Sequence, residues 1–133
     1  MSESRNPESE AQATQVVEAF MAALNSGDNR ALFDAMHVPH IRLSSNGVAI
    51  YLTKEELELE YLKGFTSRAG GTWHHTDLNW VRPLHSSENK AHLYIEWTRY
   101  DNDGGALATH QALWIMTRVD GRWGAQARSS FAP

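Results

Sequence analysis

The sequence predicts an α+β fold in which a cone-shaped, curved antiparallel sheet wraps around three N-terminal helices. Helical periodicity is confined to the part of the chain before the glycine pair at residues 70–71. Strand-like segments at about 72–85, 90–101, 106–119 and 122–131 fill the remainder, with turn sequences between them. Because a sheet of long strands twists and curls, we expect its concave face to cover the helices.

The first helix is expected to begin near Ser9 and to end at Asn25-Ser26-Gly27. Residues 1–8 are rich in Ser and Glu and are interpreted as a disordered tail, so a single domain would cover residues 9–133. The apolar positions of the helix recur at helical spacing on one stripe, which consists of Val16, Val17, Phe20, Met21 and Leu24.

A short second helix and a hairpin follow. Asp28 is a candidate N-cap for a helix whose apolar stripe is Leu32, Phe33 and Met36, and Pro39 prevents its smooth continuation. The stretch HIRLSSNGVAIYL then indicates a β-hairpin. Its turn is expected at Asn46-Gly47, a pair that suits the positive φ angles of a type I′ turn.

The third helix opens at a capping box. In Thr53-Lys54-Glu55-Glu56, the threonine and the glutamate three residues later can satisfy each other's backbone donors. Leu57, Tyr61 and Phe65 follow at four-residue spacing, and Gly70-Gly71 ends the helix. Late basic residues, Lys63 and Arg68, suit the helix dipole.

Composition narrows the classes of function. The formal charge is −4 and no Lys/Arg run is present, which argues against nucleic acid as a partner. Cysteine is absent, so disulfide and thiolate chemistry are excluded. No signal-peptide pattern and no run long enough to span a bilayer are found, and we therefore expect a soluble, cytoplasmic protein without a membrane partner.

The order of these elements resembles the nuclear-transport-factor-2-like superfamily, which includes SnoaL-like polyketide cyclases and ketosteroid isomerases. Three stretches carry the resemblance, which covers about residues 10 to 131: NSGDNRALFDAM, TKEELELEYLKGF and TRVDGRWGAQARSSF. The details WHHTD, PHIRLSSNG and RWGAQARSSF are most similar to bacterial members without an assigned reaction. The resemblance implies a cystatin-like α+β roll with a deep pocket in the cone, and it implies dimerisation through the outer sheet face. It does not supply the function, because this fold hosts both enzymes and binding proteins.

Adjacent histidines in WHHTD raise the question of a metal site. Neighbours on a strand point to opposite faces, so His74 and His75 cannot both hold one metal unless a bulge interrupts the strand. We expect His74 to point into the cone, because Thr76, Leu78 and Trp80 would share its face. The alternative is that His74 lies at the rim of the cone and makes a hydrogen bond to the backbone. With either interpretation, no metal is expected.

Other candidate site residues lie at strand starts and ends. His40 and Arg42 alternate along one strand and would form an anion or carbonyl clamp if they face the pocket, although both could also face solvent. Another set consists of Trp97, Arg99 and Asp101. Its Arg–Asp pair resembles the pair found in epoxide hydrolases with this fold; the alternative is a plain ion pair at the end of a strand.

Arg128 lies among small residues of the last strand, and either sheet face could carry it. That neighbourhood is typical of a cavity or of a close-packed interface between subunits.

These observations lead to a small-molecule pocket protein. One hypothesis is an isomerase, dehydratase or cyclase-type enzyme that uses His74 and His40 with Arg42 or Arg99 and needs no cofactor. The alternatives are a ligand-binding domain without chemistry, and a dimeric module whose cone is filled by side chains. A homodimer is expected because Tyr94, Trp114 and Met116 would otherwise place apolar surface in water on the outer face.

Overall fold

We describe the fold from a computed structural model, in which the described residues are 5–63, 65 and 69–133. Within these residues the chain forms three helices and the six strands of one sheet; two strands precede the third helix and four follow it. The elements are α1 (Pro7–Ser26), α2 (Asn29–Asp34), β1 (Met36–Ser44), β2 (Gly47–Tyr51), α3 (Lys54–Glu60), β3 (Trp73–Ser86), β4 (Lys90–Asp101), β5 (Ala106–Val119) and β6 (Arg122–Ser130).

Local capping fixes the ends of α1. The Asn6 side chain accepts a hydrogen bond from the Ser9 backbone N–H at 3.1 Å, and Pro7 occupies the first turn, where its missing N–H costs nothing. At the other end Gly27 adopts the left-handed conformation, with φ of 72°. The helix therefore begins two residues earlier than expected and ends where the sequence indicated; of the expected tail, residues 1–4 lie outside the described part.

The second helix and the hairpin form with two corrections. Asp28 caps α2 by accepting from the Ala31 N–H at 3.1 Å, but Met36 is the first residue of β1 instead of a helical residue. Because Ser44 pairs with Gly47, the two-residue turn is Ser45-Asn46 and the expected Asn46-Gly47 turn is wrong. Gly47 has a φ of 111° and opens β2.

Thr53 caps α3 as expected, but the return bond of the predicted capping box comes from the backbone N–H of Leu52 instead of that of Thr53. Thr53 Oγ1 accepts from the Glu56 N–H at 3.1 Å, and the Glu56 carboxylate accepts in return from the Leu52 N–H at 3.0 Å. Leu57 is buried against the core. The helix ends at Glu60 and residues 61–63 form a turn, so the expected unbroken helix to Gly70 is wrong. Residues 64 and 66–68, Arg68 among them, lie outside the described residues.

The sheet has the strand order β2-β1-β6-β5-β4-β3. Four of its neighbouring pairs are antiparallel, whereas β1 and β6 run parallel, so the sheet is mixed instead of purely antiparallel. The expected meander over the last four strands is correct to within one residue at each strand end. Asp120 and Gly121 make its last turn with positive φ angles of 53° and 78°.

The hydrophobic core lies between α1 and the concave sheet face. Strand alternation places Leu93, Ile95 and Trp97 of β4 on this face, where they pair with the residues of β5 that point to the same side of the sheet. Trp114 and Met116 belong to that set, at 2% and 0% exposure, so their expected position on the outer face is wrong. The chain has the α+β fold expected, with a curved sheet around the helices. Within the described residues, no helix is long and apolar enough to cross a membrane.

Candidate functional site

A cavity lies between the helices and the concave face of the sheet. It contains about 570 Å³ of space, including the part open to solvent. The lining combines aromatic, small and cationic side chains. Its members are Phe20, Met21, Leu24, Arg42, Tyr61, Phe65, Thr76, Trp97, Arg99, Ala112, Trp114, Arg128 and Ser130. Five of them are aromatic, three are arginines, and none of those lining residues is a carboxylate.

Arg128 of β6 is the best-defined polar group of this site. Its guanidinium is held from two directions, because Nε donates to His40 Nε2 at 3.0 Å and Nη1 donates to the Tyr61 hydroxyl at 2.7 Å. Its central carbon lies 4.9 Å from the ring centre of Tyr61, 5.3 Å from that of Trp114 and 5.5 Å from that of Phe20. Cation–π attraction to these rings offsets part of the cost of burying the charge.

The third nitrogen of this guanidinium has no hydrogen-bond acceptor. Arg128 is only 8% exposed, and its Nη2 is the buried side-chain polar atom that stays unsatisfied within the described part of the chain. Leaving a buried donor unpaired costs about 1–3 kcal/mol, and more when the group is charged. The cavity therefore contains a buried cationic N–H donor without an acceptor in the described part of the chain.

His40 positions Arg128. The ring is fully buried, and Nδ1 lies 2.9 Å from the carbonyl oxygen of Ala125. Because a carbonyl can only accept, Nδ1 carries the proton and Nε2 presents its lone pair to the Nε–H of Arg128. Burial, helped by the charges of Arg128 and Arg42, lowers the pKa of His40 to about 3. The imidazole is thus neutral, and both of its nitrogens are already used.

Arg42 faces the same cavity from β1. It is the register partner of Arg128 across the parallel β1–β6 pair, so two cations lie side by side on the concave face. Nη2 of Arg42 donates to a main-chain oxygen of Pro133 at 2.8 Å.

Arg99 and Trp97 line the cavity from β4, but Asp101 does not. The Arg99 guanidinium carbon lies 5.9 Å from the Trp97 ring centre, and the residue is buried. The Asp101 carboxylate instead accepts from the backbone N–H groups of Asp103 and Gly105, at 2.9 and 2.8 Å, and so closes the β4–β5 turn. The structure thus brings together two of these three residues.

The histidine pair lies away from the cavity. Trp73 pairs with Asp101 and His75 pairs with Tyr100, so His74 is an extra residue in a β-bulge. His74 is exposed and absent from the lining, which corrects its expected position inside the cone.

The two imidazoles contact each other outside the cone. Their Nδ1 atoms lie 3.0 Å apart, and His75 stacks on Tyr100 with ring centres 4.9 Å apart. A second bulge, near Asn79, turns Trp80 to the outer face, so Trp80 does not share the cavity side with Thr76 and Leu78. No group of three potential metal ligands occurs in the described ranges.

Sequence reasoning missed the contribution of Tyr61 and Phe20 to this site. Both were assigned to the apolar stripes of their helices, where they would serve only as core. The signal for Tyr61 was its hydroxyl, since a buried tyrosine needs a polar partner. That partner is Arg128, which comes from a strand 67 residues further along the chain.

Neither a protein-family model nor a curated protein matches the sequence. Solved structures do match. A protein of unknown function with a cystatin-like fold from Nostoc punctiforme has a TM-score of 0.78 at 11% identity, over 98% of this chain and 95% of that one. An NTF2-like protein of unknown function from Pseudomonas putida has a TM-score of 0.77 at 14% identity, over 97% and 89% of the two chains.

A ketosteroid isomerase-like protein from Erwinia carotovora is also similar, with a TM-score of 0.64 at 19% identity over 91% of this chain and 93% of that one. The chain therefore has the cystatin-like fold of nuclear-transport-factor-2-like proteins. Identities this low establish the fold, and a fold hosts many functions.

Proposed function

We propose that this protein binds a small organic molecule with a flat, apolar body inside the cone. The observation that carries the proposal is a cavity with five aromatic side chains in its lining and one buried guanidinium with an unsatisfied donor. Ligand pockets typically have this composition: mostly apolar walls and a few polar groups that fix orientation. The apolar body would pack on the rings, and its polar end would meet Arg128.

Acid–base catalysis has less support than binding. A proton-transferring enzyme needs a group within reach of the substrate that can gain and lose a proton near working pH. His40 is neutral, and both of its ring nitrogens already have partners. The cavity lining contains no Asp or Glu within the described residues. An isomerase, dehydratase or cyclase-type activity would have to draw its base from elsewhere, so we favour the ligand-binding alternative.

Filling the cavity tests this proposal. Ala112 lines the cavity, and Ala112→Phe should occupy its space. The matched control is Ala106→Phe, at an exposed position at the start of β5 outside the cavity lining. We expect quenching of tryptophan fluorescence when 2-naphthoate or its neutral amide is added to the wild type and the control, and at least about tenfold weaker binding to Ala112→Phe. Absence of binding for both probes, with no co-purified molecule in native mass spectrometry, would refute the proposal.

A second copy of the chain is the partner that we propose for the outer sheet face. Ile41, Leu43, Val48 and Ile50 form an exposed aliphatic set on the β1–β2 hairpin, and Val48 and Ile50 are 65% and 51% exposed. Through Ala127 and Ser129 of β6, strand pairing continues this surface to Ile115 and Leu113 of β5. A contiguous apolar surface of this kind is typical of an interface. A two-fold dimer would cover the same patch on both copies.

A further inference from the structure

We propose that the ligand of the cone is a carboxylic acid, and that its carboxylate accepts a hydrogen bond from Nη2 of Arg128. This inference rests on the proposed function and adds the chemical class of the ligand. Three features of the cavity support it: an unsatisfied cationic donor, a lining whose charged side chains are all arginines in the described part of the chain, and the aromatic rings around that donor.

The donor is fixed in place before any ligand arrives. His40 and Tyr61 hold Nε and Nη1 of Arg128, so the guanidinium cannot rotate to satisfy Nη2 without losing one of these bonds. A pre-positioned donor loses little conformational entropy on binding. A charge-assisted bond to a carboxylate is about twice as strong as a bond between neutral groups.

The charge of the cavity is opposite to that of the whole protein. The chain has a formal charge of −4, yet Arg42, Arg99 and Arg128 all line the cavity without a lining carboxylate in the described part of the chain. Arg42 and Arg128 are register partners across the β1–β6 pair, so their side chains line the cavity from neighbouring strands. A cavity with one sign of charge and low-dielectric walls concentrates ligands of the opposite sign.

The rings around Arg128 favour an anion that carries an apolar body. The rings of Phe20, Tyr61 and Trp114 surround the guanidinium at 4.9–5.5 Å from its central carbon. Only Nη2 of Arg128 is unsatisfied, so this guanidinium can add few hydrogen bonds to a ligand. A planar carboxylate attached to an apolar body matches both the donor and the rings.

The experiment compares acids with their neutral amides by isothermal titration calorimetry. The probes are benzoate, phenylacetate and 2-naphthoate, each paired with its primary amide, and 2-naphthalenesulfonate is included to separate a carboxylate from anions in general. For the wild type, we expect at least one acid to bind at least about tenfold more tightly than its amide and than the sulfonate. Equal affinity for acids and amides would overturn this inference while the proposed function stands, and tighter binding of the sulfonate would overturn it as well.

Variants locate the anion contact. Arg128→Gln should remove the preference for the acid over the amide while the amide still binds, and Arg118→Gln is the control, because Arg118 carries the same charge outside the cavity lining. Since Arg128→Gln could fail to fold, Arg128→Lys provides a second variant that keeps the charge but loses the fixed geometry, and we expect it to lower the preference. An unchanged preference in a folded Arg128 variant would place the anion elsewhere. If no acid and no amide binds, the proposed function fails, and this inference fails with it.

Discussion

The concave and convex faces of the sheet are built from the same strands, yet they differ in what their polar groups contact. On the convex face, Glu96 accepts hydrogen bonds from the side chains of Asn79 and Gln111, at 3.0 and 3.2 Å, in contact with solvent. On the concave face, Arg128 is buried and one of its nitrogens has no partner. A polar group in water needs no functional explanation, whereas an unsatisfied buried cation does.

The apolar residues of the two faces differ in a similar way. Along β5, Trp114 and Met116 belong to the core, while Leu113 and Ile115 alternate with them on the convex face and are half-buried. Both sets are strongly apolar, so hydrophobicity alone does not distinguish the inner face from the outer one. A strand that is apolar on both sides thus has one face buried in the core and another that stays partly exposed to solvent.

The largest effect should come from truncating neighbouring residues on opposite faces of β5. Trp114→Ala removes a core indole and should lower the free energy of unfolding by about 3–5 kcal/mol. Leu113→Ala, one residue away on the convex face, should cost about 1 kcal/mol or less in a monomer. Urea unfolding at low protein concentration measures both values, and similar losses would mean that the assignment of the two faces is incorrect.

Low pH should destabilise the protein because His40 is buried in its neutral form beside Arg128. The unfolded chain protonates His40 below its ordinary pKa of 6.5, whereas the native ring, buried beside Arg128, stays neutral down to about 3. Proton uptake therefore favours the unfolded state, and the free energy of unfolding falls as pH decreases from 6.5 toward 3, by up to about 1.4 kcal/mol per pH unit.

Unfolding by urea between pH 7 and pH 4.5 measures this slope. Burial also lowers the pKa of His37, so part of the slope persists without His40. His40→Leu should be less stable at pH 7, since it leaves the Nε–H of Arg128 unpaired, but its slope should be smaller. The control His74→Ala should keep the slope of the wild type; an identical slope in His40→Leu would contradict the prediction.

A charge on the convex face should weaken self-association. Ile115→Lys and Val48→Lys place an ammonium group in the apolar surface, and each should raise the dimer dissociation constant at least about tenfold. The fold should be retained, because both positions face away from the core. Sedimentation velocity over a concentration series gives the constant, with Asp103→Lys in the β4–β5 turn as the control. A wild type that is monomeric throughout the series would exclude the dimer.

The smallest effects should come from the histidine pair. His74→Ala and His75→Ala should each change stability by no more than about 0.5 kcal/mol and leave naphthoate binding unchanged, since neither ring lines the cavity. Thr76→Leu, one residue further along β3 and inside the cavity, should weaken binding. The same fluorescence titration measures all three variants; loss of binding in His74→Ala alone would restore the interpretation of His74 as a cavity residue.

The positions of most elements could be predicted because their signals are local. Asp28 and Thr53 cap helices through atoms three residues away, and Asp120-Gly121 forms its turn with its own backbone. The sequence also indicated that His40 and Arg42 share a face, which is correct because no irregularity separates them in β1. Such contacts depend on neighbouring residues alone, so residue type and spacing are sufficient to predict them.

Bulges and long-range pairing decided the rest. One bulge removed His74 from the cone and another turned Trp80 outward, because each extra residue reverses the alternation that the prediction assumed. The parallel β1–β6 pair brings Arg42 beside Arg128, and folding brings Tyr61 and His40 to the same guanidinium. The sequence by itself determined the order of helices and strands and the α+β class. Only the tertiary structure decided which side chains meet in the cone, because those contacts join residues far apart in the chain, and no local pattern records them.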